Sequence, residues 1–427
     1  MPSQEESAPP LIRRPPGEDV IFVDFQKAEY SLDFKIRRNF IESATVTTEI
    51  WFKALDAGFP AFDFTGPAQT KVNLDGNIDS EFVLSTFPEL AEKYSFVPMR
   101  LETGTPHTLT CQHDLIRVRG FGLHLKAMGG GVRFRLAMDD TGLGAHFSGN
   151  YWPSNFEYDR FPSSIKINIE GTNVEHAILT NGELSTNRPN HFNVEFPDTF
   201  TTSSPFLDIV PKNSFEFDER PYTNKNGRPV TIRAYTEVES GRSNETTRLR
   251  GFLDKAEDCL GKLEDEIAPY PYSDLLIHAR KTGLWGMEYS AATSSSLAAL
   301  NHELNHLYFA RCITPINGNS GWIDEAIAEW AETYYQSRTK PPDYRSNMGG
   351  RSKYVRATHV AAYTKGRDLL AFWEHKYADE GGLKSALPEY FEQFKFKSIS
   401  TEEFHEFLTG RFGESINADF DRYVYGR

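Results

Sequence analysis

The sequence predicts an α+β protein of more than one domain, with a β-rich N-terminal domain followed by a mainly helical one. Three observations carry this. The chain has 427 residues, more than one hydrophobic core serves, because single cores stop growing at roughly 250–300 residues. Before about residue 240, short stretches alternate apolar and polar side chains between Gly, Pro and Asn turns, the period of half-buried strands. Beyond it, apolar residues recur mostly at helical spacing up to the C-terminus.

Residues 1–18 begin Met1-Pro2-Ser3-Gln4-Glu5-Glu6, polar and Pro-rich, and read as a disordered lead. Residues 19–228 read as the β-rich domain, with strands at 44–52, 131–137 and 164–169. Gly129-Gly130-Gly131 reads as a strand turn, since the helix and lysine of a phosphate loop do not follow it. The Pro-, Asn- and Gly-containing stretch from Val210 to Pro229 reads as linker-like and marks the boundary. Residues 229–427 form the second domain. In it, Thr246 to Ile267 has the pattern of a charged amphipathic helix, and Asp274 to His278 and Trp285 to Ala291 read as strands. One helix is expected from the Ser294-Ser295-Ser296 cluster, a ready N-cap, through Ala310, and another across Gly321 to Ala331.

Composition narrows the partners. A formal net charge of −14 and a sequence pI near 5.4 oppose binding to nucleic acid or to an anionic membrane surface. No apolar run reaches the roughly 18 residues that a membrane span needs. The N-terminus lacks the apolar core of a signal peptide, which points to the cytoplasm, although a mature secreted or periplasmic form would start in the same way. Three scattered cysteines imply no disulfide framework, and Cys312 reads as a small buried residue.

The chemistry concentrates between residues 302 and 325. His302-Glu303-Leu304-Asn305-His306 places two imidazoles four residues apart, on one face of a helix, where both can reach a single ion. Glu303 lies one position round and can reach a water on that ion. A catalytic zinc takes three protein ligands and keeps one position open, and Glu325, on the next helix, is the natural third ligand. Zinc-dependent hydrolysis is therefore the leading expectation. Glu329, one turn beyond Glu325, is a candidate partner for a ligand histidine.

These residues resemble the gluzincin pattern of the M1 aminopeptidases, the group that includes leukotriene A4 hydrolase. The matching residues are His302-Glu303-x-x-His306, the eighteen-residue gap to Glu325, and Trp322-Ile323-Asp324-Glu325-Ala326-Ile327-Ala328, which resembles the family's Trp-Leu-Asn-Glu-Gly-Phe-Ala. Tyr270-Pro271-Tyr272-Ser273-Asp274-Leu275 is similar to its Tyr-Pro-Tyr-x-Lys-Leu. Gly286-Met287-Glu288 is similar to part of its Gly-x-Met-Glu-Asn, and Tyr363-Thr364-Lys365-Gly366 to its Tyr-x-Lys-Gly. The resemblance covers about residue 230 to the end and is weaker before it. It implies a thermolysin-like catalytic domain and one zinc ion held by His302, His306 and Glu325. It further implies that Glu303 acts as general base, that Tyr363 donates to the oxyanion, and that Glu288, with Gly286 and Met287, binds the substrate's amino end.

The chain also departs from this pattern. Trp285 and Tyr289 replace the first Gly and the last Asn of Gly-x-Met-Glu-Asn, and thirteen residues separate Glu288 from His302, fewer than in the family. Longer relatives continue into a helical domain beyond the position of Arg427, so a more open cleft is expected. The expected activity is release of N-terminal residues from peptide or protein substrates. The alternatives are a zinc endopeptidase not anchored on the free N-terminus and a non-catalytic peptide-binding scaffold.

Overall fold

The computed structural model describes residues 12–13, 19–67, 70–86, 93–115, 124–136, 147–238, 245–281, 283, 285–351 and 355–427. Most of the N-terminal lead therefore lies outside the described residues. The chain divides into two compact units, Met1–Phe215 and Glu216–Arg427.

The first unit is built of strands. Its largest sheet has eight, centred on the hairpin Val23–Arg37 and Phe40–Ala54. Arg37 pairs with Phe40, so the loop is the two residues Arg38 and Asn39, both at positive φ (51° and 67°). That geometry matches the right-handed twist of the strands it joins. Alternate residues Tyr30, Leu32, Phe34 and Ile36 are buried, and the residues between them, Ser31, Asp33 and Lys35, lie on the more exposed face, as the period of two requires. The expected strands at 44–52 and 164–169 fall inside Phe40–Ala54 and Ser163–Glu170. Leu125–Met128 and Gly131–Leu136 pair across Gly129 and Gly130, the expected strand turn.

The second unit carries a five-stranded sheet in the order Phe215–Thr223, Pro229–Glu237, Asp274–Ala279, Ala292–Ser295, Gly286–Tyr289. The stretch that reads as a linker is largely the first of these strands and the turn after it. Asn224 N–H donates to Arg228 carbonyl at 3.0 Å, and Gly227 sits at φ 77°. Turn residues and linker residues are the same types, and only pairing with Pro229–Glu237 separates the two meanings. Gly286–Tyr289 is the last strand in the order and runs antiparallel to Ala292–Ser295.

Among the described residues, six α-helices of seven residues or more follow or interleave: α1 (Glu245–Glu266), α2 (Leu300–His306), α3 (Trp322–Glu332), α4 (Arg367–Lys376), α5 (Leu387–Phe394) and α6 (Thr401–Phe412). Trp322, Trp330, Trp373, Tyr308 and Tyr390 are all fully buried in one core with Leu300, Leu304 and Leu307. Truncating one such indole to alanine costs about 3–5 kcal/mol, so α3 is firmly anchored. Among the described residues no helix is long and apolar enough to cross a membrane.

One helix differs from its sequence reading. The Ser294–Ser296 region is not a helix cap from which one continuous helix runs to Ala310. Ser294 and Ser295 close a buried strand, with Ser294 Oγ at 2.8 Å from His278 Nδ1, and α2 begins only at Leu300. After His306 the chain widens into a π-helical turn, Leu307–Cys312, in which Ile313 N–H donates to Tyr308 carbonyl. A short polar run scores alike as cap or strand in sequence; the parallel partner Asp274–Ala279 decides here.

Candidate active site

α2 carries His302, Glu303 and His306, and α3 packs against it. Before α3, Asn317 Oδ1 accepts the Asn319 and Ser320 N–H groups at 3.0 and 3.1 Å, a local turn that aims the helix. Asp324 and Glu325 occupy the first turn of α3, where the helix dipole favours carboxylates.

Three ligand atoms converge there. His302 Nε2 lies 3.0 Å from His306 Nε2 and 3.3 Å from Glu325 Oε2, and His306 Nε2 lies 3.4 Å from the same oxygen. Zinc bonds of 2.0–2.1 Å in a tetrahedron require ligand atoms about 3.3–3.4 Å apart. These residues therefore fit one zinc ion, and two imidazoles with one carboxylate are the donor set it prefers.

The back of each imidazole also faces a carboxylate. His306 Nδ1 is 3.4 Å from Asp324 Oδ2, and His302 Nδ1 is 3.8 Å from Glu332 Oε1. Such partners aim the opposite nitrogen at a metal. Glu329 is grouped with His302 and Glu332, and it also faces Arg367 at 3.9 Å. Neither Asp324 nor Glu332 stood out in sequence. Asp324 is adjacent to a ligand, a signal that could have pointed to it. Glu332 lies seven residues beyond Glu325, two helical turns along the same face, a weaker signal.

Protonation follows from burial and charge. Burial opposes charge on His306, yet Glu288 and Glu325 outweigh it and push this imidazole up to about 10. Burial pulls Glu325 upward, but His306 and His302 hold it well below the usual carboxylate range. Burial first, then the nearby Glu288 carboxylate, raises Glu303 well above that range against the pull of His306. A carboxyl raised in this way holds a proton more readily than an exposed one, as a group that accepts and returns a proton must.

Tyr363 sits on a second π-helical turn, Ala362–Gly366, and its hydroxyl donates to Glu325 Oε1 at 2.7 Å. Gly366 permits this approach, because a Cβ there would lie 2.7 Å from Ala326 Cβ on α3. The phenol is still 37% exposed, so it faces both the ligand carboxylate and open space.

The edge strand Gly286–Tyr289 supplies the other expected residues. A Cβ on Gly286 would come within 2.6–2.7 Å of Glu303 Cγ, Cδ and Oε1, so Glu303 lies directly over this glycine. Gly286→Val is accordingly expected to push the carboxylate aside and lower kcat about 100-fold, with zinc content unchanged by elemental analysis. A kcat within threefold of the unmodified chain would show that Glu303 acts from elsewhere. Met287 contributes its carbonyl, which accepts from Thr293 Oγ1 at 3.0 Å. Glu288 Oε1 accepts from Arg311 Nη2 at 2.8 Å, a partner that the sequence reading missed. Cys312 is buried and forms no disulfide.

No protein-family model matches this chain, and no curated protein matches its sequence. Solved structures do match. An M1 zinc metallopeptidase from Deinococcus radiodurans has a TM-score of 0.63 at 16% identity, over 93% of this chain and 92% of that one. A point mutant of the M1 zinc metallopeptidase from the same organism, bound to a Tyr-Ser-Ala substrate, is similar at the same score and identity, over 95% of this chain and 94% of that one. Yeast leukotriene A4 hydrolase scores 0.64 at 15% identity, over 94% of this chain and 68% of that one. Legionella pneumophila aminopeptidase A scores 0.66 at 12% identity, over 94% of this chain and 49% of that one. At these identities the likeness establishes the fold, which is that of the M1 zinc metallopeptidases.

Proposed function

We propose that this chain is a zinc-dependent metallopeptidase with an M1-type, thermolysin-like catalytic domain, and that it releases N-terminal residues from peptides. The observation that carries the reading is the convergence of His302, His306 and Glu325 at zinc-ligand spacing with Glu303 alongside. Zinc, when bound by these three residues, supplies a Lewis acid that polarises the scissile carbonyl and acidifies water.

The chain's own groups do the rest. Glu303 takes a proton from the attacking water and returns it to the leaving amine, which balances the hydrolysis without another donor. Tyr363 donates its hydroxyl hydrogen to the carbonyl oxygen as that oxygen gains negative charge, in exchange for its present bond to Glu325. Glu288 offers a carboxylate to the peptide's ammonium group.

The test is hydrolysis of a panel of fluorogenic aminoacyl amides before and after metal removal. Chelation is expected to abolish activity, and one equivalent of zinc to restore it. Hydrolysis that survives complete removal of metal would end the reading. A second reading, an endopeptidase that does not anchor the free amino terminus, is favoured by one observation: Glu288 is already ion-paired with Arg311.

A further inference from the structure

We propose that Arg311 is a positioning residue that sets substrate specificity. It holds Glu288 in an internal ion pair, so the enzyme distinguishes only weakly between peptides with free and blocked amino termini. The proposal rests on the zinc-peptidase reading above.

The π-helical turn puts Arg311 in place. His306 and Arg311 are five residues apart, and in an α-helix that spacing overshoots a full turn by about 140°. In Leu307–Cys312 the hydrogen bonds run from residue i to i+5, so five residues close nearly one turn. Arg311 thus returns to the side of the metal cluster and meets the edge strand at Glu288, Nη2 to Oε1, at 2.8 Å. The Arg311 and Glu288 side chains are only 6% and 15% exposed, so salt screens the pair little. Arginine stays charged at every relevant pH. The guanidinium also acts on the Glu303 and Asp324 carboxylates nearby.

A peptide ammonium that seeks Glu288 meets a carboxylate already bound to a cation. It must share Glu288 with the guanidinium or displace it, and only the surplus over the existing ion pair appears as binding. An acetylated terminus forgoes that small surplus and avoids the repulsion. The contact is made before and during the reaction alike, so Arg311 should govern KM more than kcat.

The experiment uses the zinc-loaded full chain with an aminoacyl coumarylamide and its N-acetylated counterpart, which share one scissile bond. The unmodified enzyme is expected to favour the free amine by less than about tenfold in kcat/KM. Arg311→Gln should raise this preference at least about tenfold, through a lower KM for the free-amine substrate, while Arg311→Lys, which keeps the charge, should not. Adding Glu288→Gln to Arg311→Gln should cancel the gain.

The proposal is overturned if the unmodified enzyme prefers the free amine by more than about 100-fold. It is equally overturned if Arg311→Gln binds one zinc per chain and leaves the preference unchanged. Should Arg311→Gln not fold, Glu288→Gln alone decides: a preference indifferent to it supports the proposal, and one that collapses overturns it. Absence of zinc-dependent hydrolysis of both substrates would overturn the peptidase reading itself, and the proposal with it.

Discussion

Glu303→Gln is expected to bind zinc as the unmodified chain does and to lose about 10²–10⁴-fold in kcat, the usual contribution of a positioned general base. The substitution is nearly isosteric, and Glu303 is not among the three converging ligand atoms, so the metal cluster should survive it. What disappears is the group that can take a proton. The position is tightly defined: Glu303 is almost wholly buried, lies over Gly286, and has Glu288 and His306 as electrostatic neighbours. Elemental analysis and kinetics on one preparation check the prediction. Equal rates at equal zinc content would remove Glu303 from the mechanism, and a loss of zinc along with rate would reassign it to the metal site.

Glu325→Ala should have the next largest effect. It removes one of three ligands and also the acceptor of the Tyr363 hydroxyl. Loss of a partner behind a ligand already costs metal affinity about 10–100-fold, and loss of the ligand itself should cost more, leaving the protein metal-free under dialysis. A signature in pH accompanies it. In the metal-free chain His306 is pushed up to about 10, against an ordinary value of 6.5, by Glu288 and Glu325 acting against burial. A raised value means that this stabilisation is fully present below pH 6.5 and is lost as pH climbs towards 10. Glu303 and Asp324, both raised, change stability in the same direction. Zinc binding requires neutral imidazole and so displaces the His306 proton. The metal-free protein should therefore melt progressively lower from about pH 6.5 to about pH 9, with zinc affinity rising over that range. Calorimetry in two buffers of different ionisation enthalpy would count the proton released. In Glu325→Ala, which lacks one of the carboxylates that hold this proton, the pH slope should flatten. An unchanged slope would show that the proton sits on another group.

Local geometry explains what the sequence made legible. His302 and His306 share a helix face because i and i+4 always do, and Glu325 falls on a helix whose period is plain in Trp322, Ile323, Ala326, Ile327 and Trp330. Tyr363 and Glu288 came forward through a resemblance, and the structure places both beside the cluster, Tyr363 on Glu325 and Glu288 beside His306 and Asp324. The Val210–Pro229 stretch contains the division between the two units but is largely paired strand rather than linker, and the Ser294–Ser296 cluster closes a strand rather than capping a helix, for a common reason. Turns, linkers, caps and short buried strands draw on the same small polar residues, and a pairing partner far away in sequence chooses among them.

By itself the sequence determined a β-rich half before a mainly helical one, a pair of imidazoles on one helix face, and a carboxylate able to complete a zinc site. These depend on periods of about 2 and about 3.6 residues, which are properties of the chain alone. The tertiary structure alone decided which groups stand behind and beside that site: Asp324 and Glu332 at the imidazoles, Gly286 under Glu303, and Arg311 on Glu288. Each is a contact between separate elements or depends on a helix widening into a π-turn, and burial then fixes its strength. The zinc-ligand pattern is thus written locally in the chain, whereas the groups that surround it are set by packing.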